Sequence, residues 1–376
     1  MRLLVLGGTA FLSYEVCRVA AEQGNDVTAL SRGVSGTPPP GVTFVRGDRS
    51  DSGVFAEVGT STWDAVVDIS RQPGHVANAV RELRDRAGRY AFVSSISVYD
   101  FGADDAGADD VSVHEVSAPV DRDPGASAGG DHSTEDDTPL LPALEADRMV
   151  GPEDYGPAKV ACERHALAGF GPDRAVVIRP GLIGGPGDTS GRSAYWPSRF
   201  AQAGLGDGDV LVPDTTDQPV QMIDVRDVAA FVVTLVVADT TPRSPVDVVG
   251  APTTLGDALH AAQRAARSPA IPVSGVTGSE GRLVPASSAW LADHEVNPWA
   301  GPRSLPLWIG ADVAAYPMMR RAGSRAAGLG LRRRDLQATF ADELATLPPD
   351  YLSAGLRSGL THAEHDELLA ASSSTV

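Results

Sequence analysis

Positive charge, cysteine and long apolar runs are what this chain has least of. Lys and Arg number 31 against 49 Asp and Glu, a net charge of -18. So large an acidic excess argues against a nucleic-acid backbone or an anionic membrane as partner. Cys17 and Cys162 are the only cysteines. They stand far apart in helix-like runs, so buried free thiols are expected rather than a disulfide or a metal site, and cytoplasmic residence fits that usage. The longest apolar stretch, 228 to 238, is closed by Asp227 and Asp239 and is too short to span a bilayer. Glycines end the Leu3-Leu4-Val5-Leu6 run after four residues, which argues against a signal peptide. His362 and His365 lie at helical spacing beside acidic residues and read as a solvated surface helix, so no metal is expected. A Ser-His-Asp hydrolase is disfavoured, since no Gly-x-Ser-x-Gly elbow occurs.

What remains is a 376-residue chain, 42% hydrophobic, long enough for one large core or two smaller ones. Short apolar runs at 3–6, 26–30, 42–45, 63–69, 90–93 and 175–178 read as strands, with helical segments at 11–20, near 51–58, at 75–87 and after 155. Strands alternating with helices make an α/β protein with a parallel sheet, whose ligands collect at the carboxyl ends of the strands. That puts Ile69-Ser70 and Ser94-Ser95-Ile96-Ser97 at a ligand edge.

The first strand runs into Gly7-Gly8-Thr9-Ala10-Phe11-Leu12 and then an amphipathic helix. In such a turn glycines let the backbone approach a pyrophosphate, and the helix N-terminus supplies amides to hold it. Ala10 and Ser13 stand where a Gly-x-x-Gly-x-x-Gly pattern would repeat glycine. The second strand ends in Ser31-Arg32. An arginine without an acid there suits the 2'-phosphate of NADP, which favours NADP while leaving NAD open. In the following loop, Arg46-Gly47-Asp48-Arg49, Asp48 is placed to meet an adenine amino group.

Tyr155 and Lys159 lie four residues apart, about one helical turn, so both project from one face. A phenol with a pKa of about 10 is a poor acid or base near neutrality, and a nearby ammonium favours the phenolate. Such a pair can exchange a proton with an alcohol or carbonyl oxygen. From 100 to 137 Gly, Ala, Ser and Asp dominate, with too few apolar groups to offset the entropy of ordering. This acidic insertion reads as a mobile loop, equally a lid or a plain insertion. Tyr195, Trp196 and Gln221, with Trp299, lie in loops that should face the reaction centre and are candidate substrate contacts, alongside Ser97.

Taken in order, Gly7-Gly8-Thr9, Ser95 before Tyr99, Tyr155 with Lys159, Arg179-Pro180-Gly181, Gly185-Pro186-Gly187-Asp188 and Asp224-Val225-Arg226-Asp227 resemble the extended short-chain dehydrogenase/reductase superfamily, epimerase/dehydratase branch. Tyr195-Trp196-Pro197 and Leu305-Pro306-Leu307-Trp308 resemble an actinobacterial reductase-like group within it. The resemblance implies a Rossmann-type doubly wound sheet with a smaller, discontinuous C-terminal substrate domain. The cofactor part is expected over 1–180 and 222–250, with the insertion at 101–137, and the substrate part over 181–221 and 251–376. Tyr155 would be the acid/base, Lys159 would favour its phenolate and bond the nicotinamide ribose, and Ser95 would orient the substrate oxygen. Pro180, Gly181 and Ile183 would line the nicotinamide. A helix-paired homodimer is common in the superfamily.

Three functions stay open. The first is an NAD(P)-dependent oxidoreductase acting on a small polar carbonyl or alcohol. The second is a sugar or nucleoside epimerase or dehydratase with retained NAD, and the third is a non-catalytic binding protein on the same scaffold. The intact Ser95, Tyr155 and Lys159 oppose the third.

Overall fold

In the computed structural model, residues 1–51, 53–58, 60–101, 135–203, 208–267, 282–311, 313–348, 350–353 and 355–373 are described. The lid expected within 101–137 lies outside them, apart from the ends of the insertion. Six strands follow the apolar runs closely: β1 (Arg2–Leu6), β2 (Asp26–Ser31), β3 (Thr43–Arg46), β4 (Trp63–Asp68), β5 (Ala87–Val93) and β6 (Ala175–Pro180). With a seventh, Val246–Val248, they form one sheet in the order Val246–Val248, β6, β5, β4, β1, β2, β3, all parallel. The order reverses between β4 and β1, the switch point at which open α/β sheets bind ligands beyond the strand carboxyl ends.

Strand alternation assigns each face to its own helices. Leu3, Val5, Val27, Ala29, Ala65, Val67, Ala91 and Val93 pack under α1 (Phe11–Glu22) and the apolar helix Val225–Val237. Leu4, Leu6, Leu30, Val66, Tyr90 and Phe92 pack under α2 (Pro73–Leu83) and α3 (Tyr155–Phe170). Both faces are covered, which is why the strands read as continuous apolar runs. Gly8, at φ +107, marks where α1 leaves the sheet; a Cβ there would lie 2.6 Å from that of Ala29. Cys17 and Cys162 are buried and free, one on each side.

The segment near 51–58 differs from the expected helix. Its described residues form successive turns, because Asp48 and Asp51 carboxylates accept the backbone N–H groups of Ser50 and Gly53 and compete with helical pairing.

A second core is built from Tyr195–Ala203, Leu255–Ala266, Leu336–Leu344 and the short strands around Val210 and Leu305. The chain does not stay there: Ala326 and Leu331 return to pack in the core of the sheet. The C-terminal helix His362–Ser373 opens on a reciprocal cap between Thr361 and Glu364. It is not the solvated helix expected. His365 is buried and its Nε2 accepts the Leu211 N–H at 3.1 Å. No helix among the described residues is long and apolar enough to cross a membrane.

Candidate active site

β5 ends at Val93, and the backbone then makes a short 3-10 turn over Ile96–Val98. Ser95 caps that turn: its Oγ accepts the Ser97 N–H at 3.1 Å and donates to Ser97 Oγ at 3.1 Å. The first turn of α3 sits directly on this loop. A Cβ on Gly156 would collide with the Ser97 carbonyl oxygen and with Leu141, so only glycine beside Tyr155 allows the approach. Tyr155, at the start of α3, is thereby brought against the turn that Ser95 caps, and both residues are half-buried.

Lys159, one turn into the helix, is buried. Its Nζ donates to the carbonyls of Val93 at 2.7 Å and Ser70 at 2.8 Å, and lies 6.0 Å from the Tyr155 ring centroid. Those two carbonyls end β5 and follow β4, so the ammonium ties the strand edge to the tyrosine helix. A third N–H of the ammonium is left for another acceptor. The Tyr155 hydroxyl makes no hydrogen bond to a described residue.

Behind this pair runs a buried polar chain that the motifs did not reveal. Ser94, expected at the cofactor, is buried and its Oγ donates to Glu163 at 2.5 Å. Glu163 receives Arg179 through both oxygens, at 2.9 and 2.7 Å. Arg179 also donates to Tyr99 Oη at 3.0 Å, and Tyr99 donates to Asp247 at 2.7 Å. Arg321 closes the chain on Asp247 at 2.7 Å and reaches Thr138 at 2.6 Å, fastening the end of the acidic insertion to the sheet. Burial raises the Tyr99 phenol above its usual range, with Asp247 adding to the effect. Removing one member would strand a buried charge, so the chain holds the backbone under Ser95 and Tyr155 in one arrangement. Glu163 follows Lys159 by one helical turn, and that spacing was the available signal.

Beyond the carboxyl ends of β1 and β4 lies a groove of about 450 Å3 lined by Gly7, Ser31, Arg32, Asp48, Ile69 and Ser70 among others. The first turn of α1 opens near it. Ala10, at its N-cap, makes no side-chain cap, and its φ of -148° needs no glycine. Its neighbour Phe11 takes φ +37 instead. Leu12 points into the core. Thr9 and Ser31 hydroxyls lie 3.4 Å apart, and Arg32 is exposed. Asp48 is exposed as well, its carboxyl held below the usual range by the Ser50 N–H and, further down, by Arg32.

Arg49, expected like Asp48 to contact the cofactor, lines this groove too. Its Nη atoms are spent on Asp68 at 2.7 and 2.8 Å and on the His75 carbonyl at 2.6 Å, forming the floor of the groove. Burial alone would raise the Asp68 carboxyl, but Arg49 and the Tyr90 hydroxyl override it and hold it below the carboxylate range. Gly181, after Pro180, donates to the Val248 carbonyl, and Ile183 packs half-buried against the sheet core.

The expected substrate contacts divide. Ser97 stays beside Ser95. Tyr195 and Trp196 are fully buried in the second core, their rings edge to face at 4.9 Å, and Trp196 donates to the Pro306 carbonyl at 2.6 Å. Gln221 is buried too, with its amide bonded to the Gly250 and Arg321 carbonyls at 3.1 and 2.8 Å. Trp196 and Gln221 thus tie backbone segments together, while Tyr195 is packed in the second core. Trp299 is half-buried, and Arg192, which the sequence did not single out, stacks on it with 5.0 Å from guanidinium to ring.

No protein-family model and no curated protein matches the sequence. Solved structures do match. The Bordetella bronchiseptica enzyme WbmH, in complex with NAD+, aligns at TM-score 0.57 and 17% identity over 92% of this chain and 97% of that one. The UDP-glucose 4-epimerase of Thermotoga maritima, with UDP-glucose, aligns at 0.56 and 13% over 92% and 98%. The UDP-glucuronic acid 4-epimerase of Bacillus cereus, with NAD, aligns at 0.55 and 14% over 92% and 98%. The chain has the fold of these enzymes. At such identities the likeness extends to the fold and leaves the chemistry to the residues themselves.

Proposed function

We propose that this chain is an NAD(P)-dependent oxidoreductase that moves a hydride between the cofactor and a carbonyl or alcohol carbon of a small polar substrate, with Tyr155 as acid/base. The observation that carries the reading is the Tyr155 hydroxyl, without a hydrogen-bond partner among the described residues, on a helix start packed against the Ser95 turn and one turn before an anchored Lys159. Several features suit a dinucleotide. The close approach at Gly8 leaves no room for a side chain, the N-terminus of α1 lacks a side-chain cap, and the groove lies at the sheet's switch point. The bound nicotinamide supplies or accepts the hydride.

The chain's own residues do the rest. The Ser95 hydroxyl, turned from Ser97 Oγ to the substrate, donates a hydrogen bond that holds the substrate oxygen in line, and Tyr155 gives that oxygen a proton or takes one from it. The Lys159 ammonium, held by the Val93 and Ser70 carbonyls, uses its remaining N–H for the cofactor ribose. Arg32, with no acid at the end of β2, favours NADP. NAD in the fold neighbours supports a second reading, an epimerase or dehydratase that keeps its NAD.

Mass spectrometry of dinucleotide released from purified protein, followed by turnover at the nicotinamide absorbance, tests both. Exchangeable NADP with net hydride transfer is expected, and Tyr155→Phe should lower kcat by about 10^3-fold at unchanged stability. Tightly retained NAD with conversion but no net cofactor change would replace the first reading by the second. Activity untouched by Tyr155→Phe would remove both.

A further inference from the structure

Arg192 occupies a loop of Gly, Ser and Asp between the strand after β6 and the helix Tyr195–Ala203. Its Nε donates to Ser190 Oγ at 3.1 Å, and Ser190 in turn donates to Asp188 at 2.8 Å. Asp188 would be its natural carboxylate partner, but that carboxylate is already taken up by the Ser190 N–H at 2.8 Å and the Ser190 and Ser193 hydroxyls at 2.8 and 3.0 Å. Arg192 forms no ion pair with a described residue, and no described residue accepts a hydrogen bond from its Nη edge.

One face of the guanidinium lies on Trp299, a bulky residue held at φ +70, where side chains are rarely tolerated, by its N–H bond to the Trp308 carbonyl at 2.7 Å. The Arg192 guanidinium falls below the usual arginine range, chiefly through burial, with Asp188 and Tyr155 near enough to act in the opposite direction. The planar cation is therefore oriented by Ser190, backed by an indole and left unpaired within electrostatic reach of Tyr155.

We infer that Arg192 receives a carboxylate of the substrate, so that the compound acted on at Tyr155 is an oxo or hydroxy acid. A carboxylate matches the two parallel N–H groups of a guanidinium edge. A single desolvated cation balances a monoanion, whereas a phosphate dianion would leave charge uncompensated. The inference rests on the Tyr155 reading for the reacting group but not for binding.

The test uses cofactor-loaded full-length protein and a panel of small oxo acids and hexuronic acids, each beside its methyl ester and the corresponding phosphate ester. Binding is measured by calorimetry on Tyr155→Phe, and turnover on the wild type. Acids should bind Tyr155→Phe about as well as wild type and at least about tenfold more tightly than their esters. Adding Arg192→Gln should abolish that preference, with Arg192→Lys recovering part of it. In turnover, Arg192→Gln should raise KM for acids about 10- to 100-fold and leave neutral carbonyls unaffected. Preference for acids that survives Arg192→Gln, or phosphate esters binding more tightly than acids, would overturn the assignment. Acid binding that depends on Arg192 without turnover of any compound would uphold it while removing the oxidoreductase reading.

Discussion

The carboxyl edge of the parallel sheet and the loops of the second core fix their side chains by different means. At the sheet edge, position follows from backbone: Gly8 leaves no room between α1 and β2, Gly156 leaves none between α3 and the Ser97 carbonyl, and Lys159 is pinned by two strand-end carbonyls. In the second core, position follows from side-chain packing, and the large aromatics that look like pocket walls in sequence are the packing itself. Tyr195 and Trp196 are buried, while the less conspicuous Arg192 keeps an open edge. Residue type alone says where a ligand sits only when the backbone leaves no other use for that residue.

The sharpest break of this contrast is Trp196→Ala. A packed Trp196 whose Nε1 serves Pro306 implies a loss of about 3–5 kcal/mol in urea unfolding, with KM of the remaining folded protein little changed. A large rise in KM at unaltered stability would return Trp196 to the pocket wall. Gly156→Ala tests the other region. Forcing α3 off the serine turn should cost about 1–3 kcal/mol and displace Tyr155 enough to lower kcat by about 10- to 100-fold, since small misplacements of a reacting group are expensive. An alanine variant with wild-type kcat would mean that the close approach does not set the tyrosine.

The same contrast explains what could be read in advance. The strands of the sheet were legible because burial on both faces leaves a continuous apolar run, and α3 because its Tyr155–Lys159 spacing coincides with a helical face. The segment near 51–58 was misread because its acidic residues look helical in composition yet cap their own turns. The partners of Arg49 and Gln221 could not be read in advance, because Asp68 and the chain around Arg321 reach them only through the fold. Arg192 gave no signal at all: its meaning depends on Trp299, far downstream, and on Ser190 and Ser193 having already satisfied Asp188.

His365 extends the comparison to pH, because the sequence suggested a surface imidazole and the packing makes it an internal one. Burial pushes it from 6.5 down to about 3, with Arg199 and His362 acting in the same direction, and its Nε2 must stay unprotonated to accept the Leu211 N–H. Between those two values the unfolded chain binds a proton that the folded chain refuses. The contribution is therefore complete above the unfolded value and lost as pH falls toward the folded one, at up to about 1 kcal/mol per pH unit. The Asp68 carboxyl also favours the folded state at higher pH, but it is held below 3.8 and titrates beneath this range. Urea midpoints of wild type and His365→Gln at pH 7 and pH 5 isolate the histidine, since glutamine keeps an acceptor for Leu211 without a titrating ring. Wild type should lose about 1–2 kcal/mol more than the variant over that interval. Equal losses would mean that the imidazole titrates in the folded protein as freely as a solvated one, and that the C-terminal helix is loosely seated on the second core.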